Sequence, residues 1–171
     1  MLLVKNAEVY APEYLGKKDL LICGGKIECM QDSIGELPVE CEILDAEGKI
    51  LTPGFLDQHV HITGGGGEGS FHTRTPELQM SELVENGITT VVGLLGTDGI
   101  TRSVDNLYAK TRVLCEEGVS AYMLTGAYGY PSPTLTGEID RDIVFVKEIL
   151  GVKLAISDHR APNVTEDQLI Q

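Results

Sequence analysis

The 171 residues predict an α/β fold with a parallel sheet, preceded by a small all-β segment. Two observations carry this. From residue 51 onward, apolar β-branched runs alternate with helix-length segments that have their own start and stop residues. Before residue 51, short apolar runs are separated by glycine turns and show no helical period. A closed barrel of eight strands takes about 250 residues. Residues 51–171 leave room for four strands. The expected organisation is therefore a small β domain over 1–50 and the first half of a (β/α)8 barrel, truncated, over 51–171.

The elements follow in order. LLVKNAEVY (2–10) alternates loosely, as a strand does. LLICGGKIECM (20–30) sets Gly24-Gly25 between two apolar runs, a two-residue hairpin signal. CEILDAEGKILTP (41–53) continues in strands with a turn at Gly48. FLDQHVHI (55–62) reads as the first strand of the parallel sheet. TPELQMSELVENG (75–87) reads as a helix capped by Thr75, with Pro76 at its first position and Gly87 closing it. ITTVVGLLG (88–96) has the continuous β-branched character of a strand buried on both faces. SVDNLYAKTRVLCEEG (103–118) is a second helix, capped by Ser103 and stopped by Gly118. VSAYMLTGAY (119–128) is a third strand. GEIDRDIVFVKEILG (137–151) is ambiguous between strand and helix, and VKLAISDH (152–159) reads as the fourth strand. NVTEDQLIQ (163–171) opens a helix with the capping-box spacing Thr165-x-x-Gln168.

Composition excludes some functions. The net charge of −13 repels phosphate backbones, so nucleic acid is not an expected partner. No run has the length of a membrane span and the N-terminus has no cleavage-site pattern, so a cytoplasmic protein with no membrane contact is expected. Cys23, Cys29, Cys41 and Cys115 show no zinc-finger or redox spacing and read as reduced thiols.

Chemistry concentrates after the first parallel strand, in PGFLDQHVHITGGGGEGSFHTRT (53–75). Residues two apart on a strand share a face, so His59 and His61 present two imidazoles side by side. Such a pair suits a divalent transition metal, zinc above all. Two histidines packed at a strand end would show the same spacing. The glycine run that follows lets backbone approach a ligand closely, and its successive N–H groups can form an anion-accepting nest. A flexible surface loop is the alternative.

LDAEGKILTPGFLDQHVH (44–61) resembles the opening of the amidohydrolase superfamily, metal-dependent hydrolases with a (β/α)8 barrel beside a small β-sandwich. GGGGEGSFHTRTPE, TTVVGLLGTDG, AYMLTGAY and GVKLAISDHR narrow the resemblance to the β-aspartyl (isoaspartyl) dipeptidases, over essentially the whole chain. The chain looks like the N-terminal half of such a protein.

The resemblance implies two Zn2+ ions, with His59 and His61 holding one. Lys153 would bridge both as a carbamate formed with CO2. Glu68 would bind the free α-amino group of a β-aspartyl dipeptide, assisted by Gly66. Tyr128 would stabilise the oxyanion, although Tyr130 is close enough to be confused with it. Thr97 and Arg160 would contact substrate, the arginine fork suiting a carboxylate. His72, Asp98, Asp158 and His159 read as structural.

The family's other ligands, two histidines and an aspartate from later strands, have no counterpart in this sequence. The chain is therefore expected to be inactive alone while belonging to an active, homo-oligomeric enzyme. Two alternatives stand beside this reading: another amidohydrolase acting on cyclic amides or ureides, and a non-catalytic half-barrel that pairs with another chain.

Overall fold

The computed structural model describes residues 1–161 and 163–170. The chain divides into two compact units, Met1–Pro53 and Gly54–Gln171.

The first unit is one five-stranded sheet. Its strands are β1 (Leu2–Tyr10), β2 (Tyr14–Cys23), β3 (Lys26–Gln31), β4 (Glu42–Asp45) and β5 (Ile50–Leu51). The order is β3-β2-β1-β4, with β5 also beside β1. Gly24 and Gly25, at φ 56° and 77°, form the two-residue turn between β2 and β3; positive φ at both central positions matches the twist of the paired strands. The strands around Gly48 do not pair with each other. Both β4 and β5 lie parallel to β1. Val4, Ala7, Val9 and Leu20 make the core of this unit.

The second unit alternates strand and helix. Its strands β6 (Phe55–Val60), β7 (Ile88–Gly93), β8 (Ser120–Gly126) and β9 (Ile149–Lys153) are all parallel, in the order β6-β7-β8-β9. The helices are α1 (Met80–Glu85), α2 (Val104–Glu116), α3 (Ile139–Phe145) and α4 (Glu166–Ile170). Val91, Ala121, Met123 and Ile149 from the sheet pack with Leu83, Val104, Leu107 and Leu114 from the helices. Each fully buried leucine contributes roughly 1.5–3 kcal/mol. No helix among the described residues is long and apolar enough to cross a membrane.

Two elements start elsewhere than the sequence predicts. Helix α1 begins at Met80, with Gln79 and Glu82 forming the capping box, not at Thr75. Thr75 is occupied elsewhere: its N–H donates to the Gly65 carbonyl (2.9 Å) and its hydroxyl accepts from the Gly65 N–H (2.7 Å). Strand β9 starts at Ile149 and ends at Lys153, because Ile149 fills the core opposite Met123 and α3 takes up Ile143 to Phe145. The Ala-Ile-Ser-Asp-His segment leaves the sheet. The predicted caps of α2 and α4 are present: Ser103 Oγ accepts from the Asn106 N–H (3.1 Å), and Thr165 and Gln168 bond reciprocally.

Parallel strands end at one side of a sheet, so the residues that follow β6, β7, β8 and β9 gather there. These include His61, Gly96 and Thr97, Tyr128, and Lys153 with the segment leading to Arg160.

Candidate active site

His61 follows β6 directly. Its Nδ1 lies 2.9 Å from the Leu94 carbonyl oxygen. A carbonyl can only accept, so Nδ1 carries a proton, and in the neutral ring Nε2 keeps its lone pair. The ring is held from both sides: a Cβ on Gly65 would lie 3.2 Å from its Cδ2, and one on Gly96 would lie 3.1 Å from its Cε1. A side chain at either position would crowd the ring, so glycine at both suits this close approach. The His59 ring stands edge-on to His61, with centroids 5.7 Å apart. The Asp57 carboxylate accepts from the His59 backbone N–H (3.0 Å), fixing the chain at that point.

A second cluster forms around Arg160. Its Nε and Nη2 each lie 2.9 Å from one oxygen of Asp158, and its Nη1 lies 2.9 Å from Glu68 Oε1. The same Glu68 oxygen accepts from the Thr97 hydroxyl at 3.2 Å, and Arg160 Nη2 reaches the Tyr128 hydroxyl at 3.3 Å. Lys153 Nζ and Arg160 Cζ lie 5.1 and 5.3 Å from the centre of the Tyr128 ring, within cation–π range. The guanidinium's hydrogen bonds hold the Asp158 carboxyl well below the usual carboxylate range. Gly66, Gly67, Glu68, Thr97 and Arg160 line a cleft of about 510 Å³.

The structure thus joins Glu68, Thr97, Tyr128, Lys153 and Arg160, with Gly66 on the same cleft. His59 and His61 form a neighbouring pair, and no hydrogen bond among the described residues ties them to Lys153. Tyr128 and Tyr130 separate: Tyr130 lines a different hollow, with Ser132 and Ile139. His72 bonds to Ser70, and the His159 side chain is exposed. Asp158 emerges as the carboxylate that orients Arg160. Its position two residues before the arginine is the one sequence signal that could have marked it.

Two imidazoles, one with its tautomer fixed by a backbone carbonyl, fit a transition metal well. Lys153 as an ammonium has no lone pair to give and does not fit a metal in that form. Among the described residues, no three His, Cys, Asp or Glu side chains gather as a metal cluster.

No protein-family model matches the chain. The dihydroorotase of Listeria monocytogenes serotype 4a (strain HCC23) is 35% identical over 126 residues, covering 71% of this chain and 28% of that protein. The crystal structure of a β-aspartyl dipeptidase from Fervidobacterium islandicum AW-1, in complex with β-Asp-Leu dipeptide, is 49% identical with a TM-score of 0.90. It covers 99% of this chain, which in turn covers 44% of it. An L-hydantoinase from Arthrobacter aurescens shares the fold at 21% identity and a TM-score of 0.60, covering 98% of this chain and 36% of its own. The chain spans about a quarter of the curated relative and less than half of these solved chains. The solved relatives are (β/α)8-barrel hydrolases, and the four-stranded parallel sheet corresponds to part of their barrel. The chain belongs to the amidohydrolase superfamily and groups within it with the β-aspartyl dipeptidases, of which it looks like the N-terminal half.

Proposed function

We propose that this chain supplies the first half of a zinc-dependent site that hydrolyses β-aspartyl dipeptides. The observation that carries this reading is the Glu68–Arg160 pair. A carboxylate and a guanidinium 2.9 Å apart, on a cleft after the parallel strands, complement the ammonium and carboxylate of an amino-acid head group. A substrate exchanges this internal ion pair for two of its own. Its free α-amino group takes Glu68 and its carboxylate takes Arg160, which Asp158 keeps aligned. Gly66 lines the same cleft, and Thr97 steadies the Glu68 oxygen.

Tyr128 accepts from Arg160 and keeps its own O–H to donate. It can therefore stabilise negative charge developing on the scissile carbonyl oxygen. His59, His61 and a carbamate of Lys153 would hold the metal. When bound, such an ion polarises a carbonyl and lowers the pKa of water. The carbamate forms as the neutral Lys153 amine attacks CO2 and loses a proton. Of the chain's four histidines, His72 bonds to Ser70 and the exposed His159 faces Asp158, and no hydrogen bond among the described residues ties either to His59, His61 or Lys153. On this reading, as the family resemblance implies, the remaining donors and the general base are supplied from outside these 171 residues, and the chain alone should not turn over. Homo-oligomeric assembly in the cytoplasm, without nucleic-acid or membrane contact, completes the reading.

The identity to dihydroorotases favours a second reading, hydrolysis of a cyclic amide. One experiment separates the two. The chain is co-expressed with the remainder of the Fervidobacterium dipeptidase, and cleavage of β-Asp-Leu and of dihydroorotate is assayed. The proposal expects dipeptide cleavage that Glu68→Gln lowers by about 100-fold, because the substrate's α-ammonium group loses its charge partner. Cleavage of dihydroorotate alone, indifferent to Glu68→Gln, would establish the second reading instead.

A further inference from the structure

Arg102 lies just before α2, outside every contact that the hydrolysis reading uses, yet it is 5% exposed. A buried guanidinium is costly unless its donors are matched. Here they are matched to three separate segments. Nε donates to the Thr63 carbonyl (2.8 Å), Nη2 to the Thr75 carbonyl (2.9 Å), and Nη1 faces Asp98 Oδ2 (3.5 Å). Thr63 is two residues beyond His61. Thr75 closes the glycine loop by bonding Gly65 through both its backbone and its hydroxyl. Asp98 adjoins Thr97, and its carboxylate also accepts from the N–H groups of Ile100 and Thr101.

Gly64 shows how tightly the three segments meet. At φ 84°, a Cβ there would lie 2.3 Å from the Thr75 carbonyl oxygen and 2.9 Å from Arg102 Nη2. The loop between Gly65 and Thr75 holds Gly66 and Glu68, and Gly65 itself packs on the His61 ring.

We propose that Arg102 is a positioning residue: its buried guanidinium clamps the loop that carries Glu68 against the loop that carries Thr97, and through Thr75 and Gly65 it fixes one face of the His61 ring. The purpose of that clamp, a preorganised substrate cleft, rests on the hydrolysis reading. The clamp itself does not. Lysine cannot replace it, because one ammonium cannot span three acceptors set around a planar fork.

Amide hydrogen exchange followed by NMR on the 171-residue chain tests the clamp without any turnover. Arg102→Lys should speed exchange at Gly64, Gly65 and Thr75 at least tenfold, while Val91, Val92 and Met123 in the sheet exchange as before. A uniform acceleration across sheet and loop would mean that Arg102 serves only global stability, and would overturn the proposal. Thr75→Val, which removes only the hydroxyl link to Gly65, is the second variant should Arg102→Lys fail to fold. It should free the Gly65 amide in the same selective way, and unchanged protection there would also overturn the proposal. Selective loosening alongside an inactive reconstituted enzyme would sink the hydrolysis reading and leave the clamp standing.

Discussion

Asp142 is fully buried, and its carboxylate accepts from four donors: Thr125 Oγ1 (2.5 Å), the Leu135 N–H (2.8 Å), and both the N–H and Oγ1 of Thr136 (2.7 Å each). These bonds brace the end of β8, three residues before Tyr128, against the segment that leads into α3. Burial pushes the Asp142 pKa up, but the hydrogen bonds outweigh it and the net shift is downward. With the folded value below the unfolded one, about 3.9, the stabilisation is complete above the unfolded value and is lost as pH falls through the folded one. Asp142→Asn turns an amide N–H2 toward N–H and O–H donors and should cost about 2–4 kcal/mol at pH 7. Urea denaturation across pH should show the gap to the parent closing in acid; a gap that does not vary with pH would contradict the assignment. A second prediction concerns the His61 ring. Gly96→Ala would set a methyl 3.1 Å from Cε1 and 3.4 Å from Nε2. In the proposed zinc site, reconstituted with its remaining donors, zinc retention on dialysis should fall about tenfold, the lower end of what disturbed ligand orientation costs.

Helix α2 owes its start to one residue. Ser103→Ala removes the acceptor for the Asn106 N–H and should cost about 1 kcal/mol. Leu107→Ala, at a site with no exposure, should cost about 2–5 kcal/mol. Thermal or urea unfolding of the two variants checks both figures and their order. The contrast between α2 and α1 shows what the sequence could carry. The signals of α2 are local, a serine, an apolar period and a closing glycine, and they read correctly. Thr75 carries the same kind of local signal, but its backbone and hydroxyl are claimed by Gly65, ten residues back, and the helix starts four residues late. Strand β9 moved for a similar reason, since the pairing of Ile149 with Met123 is a tertiary choice between two apolar runs. The site divides along the same line. His59 and His61 are legible because strand geometry puts i and i+2 on one face. Glu68 and Arg160 are 92 residues apart, and local pattern alone could not have paired them; resemblance to a family placed both. Arg102 carries no motif at all, because each of its partners is a backbone carbonyl or a loop carboxylate brought there by the fold.

At the scale of the whole molecule, the parallel sheet poses a question of solubility. Among the described residues β6 pairs with β7 and β9 with β8, which leaves one edge of each outer strand without a partner. Phe55 and Leu56 on β6, and Leu150 and Val152 on β9, are exposed large apolar residues on those strands. Parallel sheets are ordinarily covered on both faces, and an open apolar edge is a template for another chain. Opposing this is the net charge of −13, which repels a second copy. Salt decides between them. The screening length falls from about 10 Å at 0.1 M to about 3 Å at 1 M, so repulsion fades while apolar attraction does not. Light scattering should therefore show a mass that rises with salt, and Leu56→Lys with Leu150→Lys should suppress the rise by placing charge on both edges. A constant monomer mass across that range would mean that these edges do not recruit another copy, and the half-barrel that pairs with its own kind would be excluded as a description of this chain.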